Sequence, residues 1–104
     1  VIAVGVRCLG VDIEEPTEKL LKVLPRILSK SEYEDFQKNP STALACKVWG
    51  TKESILKYIG NVKLDYRKDI RLEKIEPIKA SYMDTFFNIE FENIDKLIVT
   101  LVTY

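Results

Sequence analysis

The sequence contains no histidine, and this absence excludes several kinds of catalytic site. Without imidazole there is no Ser-His-Asp triad, no Cys-His dyad and no histidine-ligated metal. Chemistry on this chain therefore depends on carboxylates, lysines or arginines, and a hard cation such as Mg²⁺ is the metal that suits oxygen ligands. The two cysteines, Cys8 and Cys46, lack the spacing of a metal motif. We therefore expect reduced thiols and a cytoplasmic protein.

The chain also lacks a net charge and a long apolar segment. Its 16 Lys and Arg residues balance 16 Asp and Glu residues, so no overall field attracts nucleic acid or a membrane surface. The longest apolar runs, residues 1–6 and 97–102, are too short to cross a bilayer, and we find no signal-peptide or lipidation motif. We therefore expect neither a nucleic-acid nor a membrane partner. The length of 104 residues, 46% of them hydrophobic, is enough for one domain with its own core.

The first half of the chain predicts a β-hairpin followed by helices. Two apolar runs are typical of paired strands, with a tight turn at Arg7-Cys8 between them. Pro25 lies inside a helical pattern, which predicts a kink or a break before it. Ser29 and Glu32 match a capping box that begins a short helix. The predicted strands are residues 1–6 and 9–14. The predicted helices are residues 18–28, a short helix that follows the capping box and runs through Phe36, and a long helix from about residue 41 to residue 59 that ends at Gly60.

The second half of the chain predicts strands. β-branched and aromatic residues become frequent after Asn61, and residues 87–91 alternate between apolar and polar, which indicates one buried and one exposed face. The predicted strands are residues 62–64, 70–75, 78–83, 86–91 and 97–104. The fold class is therefore α+β in a single domain over residues 1–104: a hairpin, a helical middle with one long helix, and an antiparallel meander.

Three carboxylates are the candidate chemical groups. Asp12 and Glu14 are two residues apart in a predicted strand and share a face, and the long helix could bring Glu53 against that face. Converging carboxylates repel one another unless a cation lies between them, which suits Mg²⁺. Lys52 and Lys57 flank Glu53 and are able to neutralise phosphate oxygens. The same pattern also fits an ordinary solvated surface, because Glu and Lys four residues apart occur on many exposed helices.

Two segments resemble the signature motifs of 4′-phosphopantetheinyl transferases. Residues 9–14, LGVDIE, are similar to the family motif (I/V)-G-(I/V)-D-(I/V)-E. Residues 49–57, WGTKESILK, are similar to W-x-x-K-E-(S/A)-x-x-K. The interval resembles the family too, including residues 26–33, RILSKSEY, and the resemblance extends from residue 1 to about residue 76. It implies the fold of that family and favours the metal site over the solvated surface.

The resemblance also implies a reaction and roles for individual residues. Members of the family move the 4′-phosphopantetheine arm of coenzyme A onto a serine of an acyl or peptidyl carrier protein and release adenosine 3′,5′-bisphosphate. By this resemblance Asp12, Glu14 and Glu53 would hold Mg²⁺, and Glu53 would also take the serine proton. Lys57 would contact the phosphates and stabilise or protonate the leaving group. Lys52 would support it in binding coenzyme A.

The Asp-x-Glu form of the first motif indicates the Sfp-type branch, whose members have two similar halves with coenzyme A bound between them. The chain resembles the second half and begins at Val1, so we expect a longer parent protein or a processed chain. Three alternatives follow for the other half of the cleft. It is missing, or an identical subunit supplies it in a homo-oligomer, or the chain is a non-catalytic relic that binds a carrier protein or a partner domain.

Overall fold

A computed structural model describes residues 8–60, 63 and 65–103 of the chain. These residues form a five-stranded antiparallel sheet combined with three helices, which confirms the predicted α+β class. The elements are β1 (Cys8–Glu14), α1 (Glu18–Ile27), α2 (Lys30–Phe36), α3 (Thr42–Ile59), β2 (Ile70–Ile75), β3 (Ile78–Tyr82), β4 (Thr85–Ile94) and β5 (Leu97–Thr103). The predicted strand at residues 1–6, its hairpin pairing and Arg7 lie outside the described residues, as do two residues of the predicted strand 62–64.

Two local predictions need correction. Cys8 belongs to β1 and not to a turn, since the strand already begins there. Helix α1 does not break before Pro25 but continues through it to Ile27. A proline inside a helix removes one backbone hydrogen bond. Here it lies in the last turn, where the Leu28 N–H still donates to the Leu24 carbonyl at 3.0 Å. Leu24 and Ile27 are buried in the core, and their burial outweighs the lost bond.

The other helix boundaries follow from capping residues. The predicted capping box is present: the Glu32 N–H donates to Ser29 Oγ at 3.3 Å, and the Ser29 N–H donates to Glu32 Oε1 at 2.9 Å. In α3 the Ser41 hydroxyl accepts from the Leu44 N–H at 3.0 Å. The same helix ends at Gly60, whose φ of 71° lies in the left-handed region that glycine tolerates. Helix α3 therefore spans almost the predicted range.

The sheet joins the two ends of the described chain. Its strand order is β1-β5-β4-β3-β2, so the predicted meander β2 to β5 is confirmed and β1 pairs with the last strand. In β1 the side chain of Asp12 is buried, whereas Val11 and Ile13 are exposed on the opposite face. Asp12 and Glu14 consequently face α3, as the two-residue period of a strand requires. No helix among the described residues has the length and apolar character needed to span a membrane.

Candidate functional site

The candidate site lies where α3 crosses β1, and two glycines allow the close approach. A methyl group at Gly10 would overlap the backbone carbonyl oxygen of Ser54 on α3. A methyl group at Gly50 would overlap the Thr100 hydroxyl and would lie 3.6 Å from Asp12 Oδ2. Backbone atoms yield little, so only glycine fits at position 10. The absent side chain at Gly50 leaves room for the Thr100 side chain, which packs against the helix close to the carboxylate of Asp12.

Asp12 is the most buried of the three predicted carboxylates. Only 4% of it is exposed. Its Oδ1 accepts a hydrogen bond from Lys57 Nζ at 2.9 Å. Its Oδ2 is buried and has no hydrogen-bond partner within the described residues. A buried carboxylate oxygen without a partner is costly, because it has lost its water without replacing it. This oxygen is therefore chemically suited to a bound cation.

Glu14 is held by the side chain of Trp49. The indole N–H of Trp49 donates to Glu14 Oε1 at 3.1 Å, joining the end of β1 to α3. The backbone carbonyl of Glu14 also lies 3.6 Å from the Cys46 thiol, which donates to it. Burial raises the pKa of Cys46 to about 11, and the charges of Glu14 and Asp12 add to that shift. The thiol is therefore protonated near neutral pH and is not a nucleophile.

Glu53 is held by a residue that the sequence did not single out. The Tyr66 hydroxyl donates to Glu53 Oε1 at 2.5 Å. The Tyr66 ring stacks on Trp49 with a centroid separation of 6.1 Å and an interplanar angle of 16°. The pKa of Tyr66 is raised, first by burial and then by the hydrogen bond to Glu53, so the hydroxyl remains a donor. Tyr66 follows α3 in a stretch without any motif, and no sequence signal connected it to the carboxylates.

Lys57 lies within electrostatic reach of all three carboxylates. Its pKa is raised, chiefly by the hydrogen bond to Asp12, and the charges of Asp12, Glu53 and Glu14 contribute in the same direction. These contributions place the three acidic groups near one ammonium group. The side chain of Lys57 is 54% exposed, so its charge is available to a ligand arriving from solvent. Of the two predicted lysines, it is the one placed to meet an anionic ligand.

Lys52 is placed differently from the expectation that it supports coenzyme A binding. It is fully buried, and its Nζ donates to Glu32 Oε1 and the Ile27 carbonyl at 2.8 Å each and to the Tyr66 carbonyl at 2.5 Å. An ammonium group has three donors, and all three are used here. Burial lowers the pKa of Lys52, while the neighbouring Glu32 opposes that shift. The geometry gives Lys52 a structural role beneath the site and leaves no donor for a phosphate.

The three carboxylates do not form a ready-made metal cage. Among residues 8–60, 63 and 65–103, no group of three carboxylate or thiol side chains is arranged around a point where a metal ion would fit. Asp12, Glu14 and Glu53 each direct one oxygen to a separate donor. The predicted convergence around a cation is therefore not seen in this conformation. The residue types still suit Mg²⁺, since a carboxylate has two oxygens and the second one of Asp12 is buried without a described partner.

Comparison with known proteins identifies the family. No match is found among curated proteins. The family model of the 4′-phosphopantetheinyl transferase superfamily matches residues 8–98, which include both signature segments and the whole β1–α3 contact. The match also agrees with the observed fold of one strand, three helices and an antiparallel meander. The chain therefore belongs to the 4′-phosphopantetheinyl transferase superfamily.

Proposed function

We propose that the chain transfers the 4′-phosphopantetheine arm of coenzyme A to a serine of an acyl or peptidyl carrier protein. Membership of the superfamily supports phosphopantetheinyl transfer in general. The observation that carries the proposal for this chain is the state of Asp12. It is buried, one of its oxygens is paired with the exposed Lys57, and the other has no partner within the described residues. Such a carboxylate suits a cation-assisted reaction of phosphates better than a purely structural role.

Asp12, Glu14 and Glu53 are the residues that would hold Mg²⁺. When bound, the ion supplies positive charge that offsets the negative charge of the pyrophosphate oxygens. To bind one ion, the two glutamates would use the oxygens that are not bonded to Trp49 and Tyr66. The three carboxylates repel one another without a cation, which favours divalent binding at this place.

The transfer itself requires a general base and a positively charged side chain from the protein. The serine oxygen forms a bond to the phosphorus that carries the pantetheine arm, and the bond from that phosphorus to the bridging oxygen breaks. The serine proton passes to the Glu53 carboxylate. Adenosine 3′,5′-bisphosphate leaves with the electron pair of the broken bond. Lys57 stabilises its negative charge, because the raised pKa keeps the ammonium protonated.

The test is the intact mass of a carrier protein after incubation with the chain, coenzyme A and Mg²⁺. We expect a gain of about 340 Da, the mass of the arm. Glu53→Gln keeps the size of the side chain and an oxygen that accepts from Tyr66, but it removes the base, so it should abolish the gain while leaving the circular dichroism spectrum unchanged. No gain with the wild-type chain, while a known transferase modifies the same carrier in parallel, would refute the proposed activity. Unchanged turnover of Glu53→Gln would refute the role of Glu53.

A second candidate is a non-catalytic module that binds a carrier protein or a partner domain. The observation that favours it is the separate engagement of the three carboxylates by protein donors. Binding of the carrier without any mass gain would support this candidate. The molecular mass in solution should be measured with it, because a dimer or trimer would allow a second copy to complete the cleft.

A further inference from the structure

Two stacked aromatic side chains contact two of the carboxylates. Trp49 donates through its indole N–H to Glu14 on β1. Tyr66, which stacks on Trp49, donates through its hydroxyl to Glu53 on α3. The polar group of each aromatic side chain therefore donates to a different carboxylate, and the acceptor is Oε1 in both cases. We call these two residues the aromatic pair.

The aromatic pair is fixed from inside the protein. The backbone carbonyl of Tyr66 accepts from Lys52 Nζ at 2.5 Å, and that ammonium also donates to Glu32 Oε1 at 2.8 Å. The other oxygen of Glu32 accepts from the Leu72 N–H at 2.7 Å, which connects the arrangement to β2. Lys52 is fully buried and Glu32 is nearly so. The backbone at Tyr66 is thus held by a buried ion pair before any ligand arrives.

We propose that Tyr66, stacked on Trp49, is a positioning residue that fixes the carboxylate of Glu53 for a divalent cation. This inference rests on the proposed function, because it assumes that Glu53 is a ligand of that cation. A donor on one oxygen restricts rotation of the carboxylate and leaves the other oxygen for the metal. Outer contacts of this kind commonly contribute about 10- to 100-fold to metal affinity. Without the hydroxyl, Glu53 would turn toward solvent and away from Asp12 and Glu14, because like charges repel.

A change of one atom separates this role from simple packing. Tyr66→Phe removes the hydroxyl but keeps the ring that stacks on Trp49 and the carbonyl that accepts from Lys52. Tyr33→Phe is the matched control, because Tyr33 stacks on Phe36 in α2 and not on a residue of the site. Both variants lose one hydroxyl and retain an aromatic ring. Only Tyr66→Phe should alter cation binding.

The cation can be followed without any catalysis, because Trp49 is the single tryptophan of the chain. The indole N–H of Trp49 donates to Glu14, so binding of a cation by Glu14 should change the fluorescence of Trp49. We would titrate Mg²⁺ into the full chain in the absence of coenzyme A, with calorimetry as a second readout. We expect Tyr66→Phe to raise the apparent Kd for Mg²⁺ by about 10-fold or more, and Tyr33→Phe to leave it unchanged. The unfolding midpoint of each variant is measured alongside.

A double-mutant comparison makes the test specific to Glu53. If Tyr66 acts through Glu53, then Tyr66→Phe should weaken Mg²⁺ binding far less in a Glu53→Gln background than in the wild-type chain. An unchanged Kd in folded Tyr66→Phe, or a wild-type chain without Mg²⁺ binding, would overturn the inference. Tyr66-dependent Mg²⁺ binding without modification of any carrier would refute the proposed transfer alone. Carrier modification with a Kd that is insensitive to Tyr66→Phe would refute only the positioning role.

Discussion

Lys57 Nζ lies 2.9 Å from Asp12 Oδ1, so an exposed ammonium group on α3 pairs with a buried carboxylate on β1. The pair neutralises only one oxygen of Asp12, because Oδ2 is buried without a partner in the described residues. A carboxylate in this state is unstable relative to one that is fully paired. The half-paired Asp12 is therefore the natural position to test first by substitution.

Asp12→Asn should cause a large loss of transfer that excess Mg²⁺ partly restores. The substitution keeps the size of the side chain but removes the charge that attracts the cation, so the defect lies in metal binding. The measurement is the rate of carrier modification over a range of Mg²⁺ concentrations. Glu15→Gln is the matched control, because Glu15 is an exposed carboxylate just beyond β1. A loss that does not respond to Mg²⁺ would contradict the assigned role of Asp12.

Gly10→Ala should destabilise the protein and separate α3 from β1. The added methyl group would overlap the Ser54 carbonyl oxygen, which is part of the helix backbone, and overpacking of this kind typically costs about 1–3 kcal/mol. Gly60→Ala is the comparison, since Gly60 has a φ of 71° and an added methyl group would meet no atom of the described residues within 4 Å apart from its chain neighbours. It should lose only the free-energy cost of placing alanine in the left-handed region, about 1–2 kcal/mol.

Urea unfolding of the two glycine variants gives the free energies of unfolding to compare. We expect Gly10→Ala to lose the larger amount and also to weaken Mg²⁺ binding, because Asp12 lies two residues farther along the same strand. An equal or smaller loss for Gly10→Ala than for Gly60→Ala would show that the strand and helix can separate without cost. The close approach would then not be what positions Asp12.

Local sequence rules predicted most of the elements and the antiparallel meander, but not the pairing of β1 with the last strand. The capping box of Ser29 and Glu32 and the left-handed end of α3 at Gly60 depend on residues a few positions apart, so their patterns are readable in the chain. The pairing of β1 with β5 joins residues near opposite ends of the sequence, and no local pattern encodes it. Of the kink or break predicted before Pro25, the break does not occur, because burial of neighbouring residues outweighs the local rule.

In the candidate site, the residues that share a face of one strand were predictable, whereas the partners supplied by the tertiary fold were not. The two-residue spacing of Asp12 and Glu14 correctly placed both on the face of β1 toward α3, whereas the ion pair of Lys57 with Asp12 was not predicted. The partner of Glu53 is Tyr66, which lies after α3 and acts through the tertiary fold. Lys52 precedes Glu53 directly in sequence but is turned about 100° from it around the helix axis and is buried in the core. Adjacent residues on a helix do not share a face, and charge alone did not reveal which lysine was buried.

Lys52→Met should be one of the most destabilising single substitutions in the chain. It removes the partner of Glu32 and leaves a buried carboxylate and two carbonyl groups without their donor. Loss of one member of a buried ion pair typically costs about 3–5 kcal/mol. Lys38→Met is the matched control, because Lys38 forms an exposed ion pair with Asp35 at 3.4 Å and should lose less than about 1 kcal/mol. Similar losses for the two variants in thermal or urea unfolding would exclude a supporting role for Lys52.

The Cys46 thiol should react slowly in the folded protein and report on the contact between α3 and β1. Its pKa is raised from 9.0 to about 11, mainly by burial, so at pH 8 very little thiolate is present. We expect alkylation by iodoacetamide at pH 8, followed by peptide mass spectrometry, to be at least about 100-fold slower than in urea-unfolded chain. The raised pKa also affects stability, because the folded chain keeps the thiol proton more tightly than the unfolded chain does. The contribution of the protonated thiol to the free energy of unfolding should be complete below about pH 9 and should be lost as the pH rises toward 11. The thiol on α3 donates to the Glu14 carbonyl on β1. Since Gly10→Ala should separate α3 from β1, it should also accelerate the alkylation of Cys46. Equally fast alkylation of Cys46 in folded and unfolded chains would show that α3 does not cover this end of β1.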